Sequence, residues 1–155
     1  MKIDPAWLHI EGAHKVDREL GSCPSFHDSF LDRVVFDSGD TNEGGTKPPS
    51  LELQFYIQEV ENTVNQKGVF PTKYKANLVL RFRNIDSASF ANLSYDNCLY
   101  SLTVKPVADG RQDVVLESSN NVDSLLVKFS CESIEVGSVQ KAEVVNDFET
   151  PIGFN

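Results

Sequence analysis

"LELQFYIQ" at residues 51–58 and "YKANLVLRFRN" at residues 74–84 decide the fold. In the first, Leu51, Leu53, Phe55 and Ile57 alternate with Glu52, Gln54, Tyr56 and Gln58. In the second, Ala76, Leu78, Leu80 and Phe82 alternate with Lys75, Asn77, Val79, Arg81 and Arg83. Successive side chains of a strand point to opposite faces, so a period of two means one face in the core and one in water. The turn-rich segment 62–72 (NTVNQKGVFPT) joins the two stretches and predicts a hairpin. In that hairpin Glu52 and Gln54 lie beside Arg81 and Val79, with Tyr56 on the same wet face. Such a face is ordinarily just solvated. Tyr and Arg are nevertheless enriched at binding hot spots, which makes Tyr56, Arg81 and Arg83 candidate partner contacts.

The same alternation recurs at 125–131 (LLVKFSC), with Leu125, Val127, Phe129 and Cys131 inward. Weaker strands are readable at 31–37, 98–105, 112–117 and 133–139. Residues 5–20 predict one short helix, with Asp4 as its cap, Pro5 at a first helical position and Trp7, Leu8 and Ile10 as its apolar residues. Between strands lie turn-rich connections: 37–50 (DSGDTNEGGTKPPS), 107–111 (VADGR) and 118–124 (SSNNVDS). No crossover helices separate the strands, so parallel pairing is disfavoured. The expectation is an all-β, mainly antiparallel fold, a sandwich or strongly curled sheet of about seven strands with a short N-terminal helix. A length of 155 residues suits a single domain, 1–155. The tail 144–155, with Phe148 and Phe154, is expected to pack on the core.

Acidic side chains number 23 against 14 basic ones, a formal net charge of −9. This field repels phosphate backbones and argues against nucleic acid as a partner, because the basic residues are spread along strands. The same field raises encounter rates with a basic protein. No apolar run approaches the roughly 20 residues of a membrane helix, and none near the amino terminus resembles a signal peptide. Three widely spaced cysteines, Cys23, Cys98 and Cys131, fit neither a zinc site nor a closed disulfide framework. Reduced thiols in a cytoplasmic protein fit best.

"CPSFHDSF" at residues 23–30 sets His27 beside Asp28 between two phenylalanines. The other histidines, His9 and His14, are five apart, whereas two ligands on one helix face stand three or four apart. Ser25, Ser29 and Cys23 are close to His27 in sequence, but neighbours along an extended chain point apart and do not make a triad. No metal, cofactor or catalytic residue is therefore assigned. The residues read better as a corner: Pro24 breaks the chain, Phe26 and Phe30 dock into the core, Asp28 accepts backbone N–H groups and His27 donates to a carbonyl.

The run Pro24-Ser25-Phe26-His27-Asp28, followed by LDRVVF, resembles the Immunity protein 50 family of bacterial polymorphic-toxin systems. "KYKANLVLRFRNIDSASF", "NCLYSLTVKP" and "LLVKFSCESIEVGSV" are similar to that family's later segments, so the likeness runs from about residue 20 to about residue 140. It implies a small cytoplasmic all-β protein without cofactor that binds a cognate toxin domain and blocks it; the choice between a monomer and a homodimer paired through an exposed edge strand stays open. The candidate contacts are then the acidic loop (Asp37, Asp40, Glu43), the wet face (Tyr56, Arg81) and the corner His27-Asp28. A non-catalytic ligand-binding or scaffolding β-sandwich stays open beside this reading, as does a hydrolase that uses His27.

Overall fold

A computed structural model describes residues 3–40, 47–94, 97–118 and 124–142. Glu43 and the tail 144–155 lie outside the described residues. Eight strands form two four-stranded sheets: β1 (Phe30–Asp37), β2 (Ser50–Val60), β3 (Thr72–Arg83), β4 (Asp86–Ala91), β5 (Ser101–Pro106), β6 (Gln112–Glu117), β7 (Leu126–Cys131) and β8 (Ser133–Ala142). The first sheet has the order β1-β2-β3-β8 and the second β4-β7-β6-β5, with every strand pair antiparallel.

The alternating residues of β2 and β3 are buried as their period requires. Leu51, Leu53, Phe55 and Ile57, with Ala76, Leu78, Leu80 and Phe82, form one continuous core with Val114, Leu116, Val127 and Phe129 of the second sheet. Phe82 and Phe129 meet edge-on across the two layers, their ring centroids 4.8 Å apart. Offset and edge-on aromatic pairs of this kind add about 0.5–1.5 kcal/mol beyond burial.

Two strands run from one sheet into the other. Asn84 turns β3 into β4 with a left-handed backbone (φ 52°), and the single residue Glu132 separates β7 from β8. The two bends lie side by side. Glu132 N–H donates to the Arg83 carbonyl at 2.9 Å, and the Asn84 amide donates to the Glu132 carboxylate at 2.9 Å. Arg111 completes the corner, donating to the Asn84 carbonyl at 2.7 Å and to the Ser130 hydroxyl at 2.9 Å. The other side of the sandwich is closed by a seam: Leu31 N–H donates to the Asn97 carbonyl, Leu99 N–H to the Ser29 carbonyl and Asp28 N–H to the Leu99 carbonyl.

The amino-terminal segment differs from the single helix expected. A 3₁₀ helix, Pro5–His9, is followed by α1, Ala13–Leu20. Gly12 divides them at φ 88°, and a Cβ there would stand 3.3 Å from the Val136 Cβ. Glu11 meanwhile pairs with the free edge of β8, donating to the Ile134 carbonyl and accepting from Val136 N–H. Asp4 caps the first turn by accepting from Ala6 N–H, as its position suggests.

Candidate protein-binding face

The side chains opposite the core on β1, β2, β3 and β8 form one continuous outer face. Register fixes its rows. Val35, Glu52, Arg81 and Glu135 lie across the four strands, and the row Arg33, Gln54, Val79 and Ser138 lies next to them. A bulge in β1 between Leu31 and Arg33 sets this alignment. The hairpin pairing of Glu52 with Arg81 and of Gln54 with Val79 is as the alternation predicts.

Two guanidiniums dominate the face, and one carboxylate oxygen serves both. Glu135 Oε1 accepts from Arg83 Nη2 at 2.7 Å, from Arg83 Nε at 3.1 Å and from Arg81 Nη1 at 3.3 Å. Arg81 also reaches Glu52 across the hairpin, at 3.4 Å. The bonds from Arg83, and after them those from Arg81, hold the Glu135 carboxyl below its ordinary pKa against the opposing effect of partial burial. β8 carries Gly137 at its irregular register, where an added Cβ would stand 3.2 Å from Val79 Cγ1.

At one end of the face Tyr56 stands beside Phe30, ring centroids 6.4 Å apart. Phe30 therefore lies half-buried on the outer face and not in the core. At the other end β1 runs into the loop expected to be acidic. Asp37 accepts from Lys47 Nζ at 2.8 Å and from Gly39 N–H at 2.8 Å, and these bonds, the lysine's first, lower its pKa. Asp40 N–H donates to the Lys47 carbonyl, so Asp37, Asp40 and Lys47 form one small turn. The structure thus gathers Asp37, Asp40, Tyr56 and Arg81 on and around one sheet face, while Glu43 is outside the described residues.

His27 and Asp28 stand apart, at the seam. Asp28 has φ 66°, which brings two sequence neighbours to the same side, and His27 Nδ1 lies 3.0 Å from Asp28 Oδ2. This corrects the expected corner chemistry: the histidine faces a carboxylate and not a carbonyl. The backbone bonds of the corner are made by others. Ser25 Oγ accepts from His27 N–H, Ser29 Oγ donates to the Phe26 carbonyl at 2.6 Å, and Asp4 accepts from Phe26 N–H. Trp7 seals it from below, stacked on the buried Phe26 and donating from its indole to the Pro24 carbonyl at 2.7 Å. Tyr100, 59% exposed, meets the His27 ring edge-on. Beside this pair lies an open pocket of about 340 Å³ whose polar lining includes Asp28, Asn92, Ser94, Ser118 and Ser124.

Sequence alternation located Arg81, Arg83, Glu52 and Tyr56 because they share one hairpin. It missed Glu135, Lys47 and Arg33, whose places depend on which strands neighbour that hairpin. Tyr100 was missed because its meeting with His27 depends on closure of the seam.

The fold and this face define a β-sandwich with a mixed-charge, partly aromatic outer sheet. No family model matches the chain, and neither the curated proteins nor the solved structures contain a significant match. Among the described residues, no helix is long and apolar enough to cross a membrane. No group of three or more His, Cys, Asp or Glu side chains among them is arranged to hold a metal ion.

Proposed function

We propose that this chain is a protein-binding module that acts as an immunity protein, docking on a cognate toxin domain and blocking it sterically. The observation that carries the reading is the outer face of β1-β2-β3-β8. It places Arg81 and Arg83, braced by Glu135 and Glu52, on the same surface as Tyr56 and Phe30. Arginine and tyrosine side chains held by neighbours lose little freedom on binding, and they dominate hot spots for that reason. The likeness of the Phe26-His27-Asp28 region to Immunity protein 50 supplies the kind of partner, and a net charge of −9 favours a basic one.

The test is co-purification with a candidate toxin domain, followed by calorimetry at low and high salt. One-to-one binding that is lost in Tyr56→Ala and Arg81→Ala is expected, with an association rate that falls with salt and in Asp37→Lys/Asp40→Lys. Binding unaffected by all four substitutions sinks the assignment of this face.

The seam pocket favours a second reading, a module for a small polar ligand. Serine hydroxyls, an amide, a carboxylate and the exposed Tyr100 line it. Saturable binding of such a ligand, abolished by Tyr100→Ala and indifferent to Arg81→Ala, would favour that reading over the first.

A further inference from the structure

An acidic protein carries a cationic indentation at one end of the candidate face. Lys47, Arg81 and Arg83, with Pro48, Ser50 and Asn84, line a hollow of about 240 Å³. Its cations are drawn from two separate segments. Arg81 and Arg83 are two apart on β3 and so point to the same side, and the Asp37–Gly39–Lys47 turn brings the lysine in beside them.

Each cation has a carboxylate neighbour, Asp37 for Lys47, Glu52 for Arg81 and Glu135 for both arginines, but the guanidinium forks keep donors to spare. Each guanidinium has five N–H donors in a fixed fork, yet the two share a single oxygen of Glu135 on the β8 side. The further contact of Arg81, to Glu52 on the β2 side, is long at 3.4 Å. Two guanidiniums bonded through one oxygen leave further N–H donors directed elsewhere, and a carboxylate entering the hollow would accept from them in charge-assisted bonds. The hollow lies at the Ser50 end of the same strands, and the Arg and Lys stems and Pro48 give it partly apolar walls.

We infer that the hollow formed by Lys47, Arg81 and Arg83 receives a carboxylate side chain, an Asp or Glu, presented by the partner protein. This rests on the protein-binding reading and deepens it. The excess of acid over the rest of the chain steers a basic partner in. The cationic hollow then fixes register by accepting one acidic side chain, as planar bidentate geometry allows. A partner with Lys or Arg at that point would face donors already bonded to Asp37, Glu52 and Glu135 and would offer them no acceptor.

The test has an arm that needs no partner. Acetate is titrated into the protein at constant ionic strength, with chloride as the balancing ion, while the arginine Nε–H resonances are followed by NMR. Saturable displacement of the Arg81 and Arg83 signals with a millimolar Kd is expected, larger than any displacement of Arg33. Arg83→Gln should abolish it, whereas Lys128→Gln on the second sheet should leave it intact. No saturable displacement in the wild-type protein overturns the inference. Inorganic phosphate is titrated in parallel, and displacement by phosphate with none by acetate also overturns it, since the hollow would then be a phosphate site. The second arm uses the partner complex. Replacing its seated acidic residue by Gln should weaken binding about 10-fold, with no further loss when combined with Arg83→Gln. If no protein partner binds while acetate still does, the protein-binding reading fails and the anion site stands.

Discussion

Replacing Glu135 by Gln tests whether the two guanidiniums are held by charge or by packing. Glu135 stands directly opposite Arg81 in the β3–β8 register, and Arg83 is its diagonal neighbour. Its side chain is 24% exposed, while those of Arg81 and Arg83 are 42% and 57% exposed, so solvent screens both pairs. An exposed ion pair contributes about 0.2–1 kcal/mol, and the short two-pronged contact from Arg83 places this one at the upper end. Two pairs through one oxygen are not additive, so the expected loss near neutral pH is about 1 kcal/mol, or roughly 2–4 °C in Tm. The pH dependence follows from the direction of the shift. The folded-state pKa of Glu135 is depressed, so its contribution is full above the ordinary glutamate pKa and disappears as pH falls through the folded value. Urea unfolding of wild type and Glu135→Gln across this range should give curves that differ near neutral pH and converge in acid. A difference that survives in acid, or in ~1 M salt, would refute the electrostatic account and point to packing.

Three further outcomes follow from other parts of the structure. Gly39 has φ +75°, and an added Cβ would run into the Lys47 and Pro48 carbonyls; Gly39→Ala should cost at least about 1–2 kcal/mol locally and displace Lys47, read as lost acetate response at Arg83 with the core's NMR shifts preserved. Among the described residues no hydrogen-bond partner meets the buried Tyr74 hydroxyl, and burial followed by the Glu59 charge pushes its pKa up to about 12. Tyr74→Phe should therefore stabilise the protein by about 1 kcal/mol in urea unfolding, and a loss of that size would show that the hydroxyl is satisfied. Cys131 is fully buried and its thiol pKa is pushed up to about 12, so thiol-labelling should modify the half-buried Cys23 and Cys98 first and Cys131 only on unfolding.

The strands that were legible in the sequence are those in which burial alternates. β2, β3 and β7 have this pattern, and their inner residues were readable one by one. β4 was not, because all six of its residues, Asp86–Ala91, are exposed and no alternation exists to read. It is a strand because β3 continues through the Asn84 bend and β7 offers it a pairing edge. The amino-terminal helix was read as one element because Trp7, Leu8 and Ile10 resemble a helical face. The left-handed Gly12, required by the approach of Val136, divides it, and Leu8 is exposed. The His27–Asp28 contact was illegible for a related reason: the rule that neighbours point apart fails where Asp28 takes a positive φ. Three members of the Arg81–Arg83–Glu135–Glu52 cluster come from one hairpin and could be read locally. Glu135 belongs to β8, which reaches β3 only after the chain has built the whole second sheet.

That return has a consequence for when this face is complete during synthesis. β1, β2 and β3 leave the ribosome first, with Arg81 and Arg83 exposed on a sheet whose next strand is still untranslated. Until β8 arrives, the two arginines lack their shared carboxylate and the sheet edge at β3 is open. A partner selective for the braced arrangement would pass over nascent or truncated chains and engage only finished ones. Recognition of this face would then serve as a check that the last strand is in place.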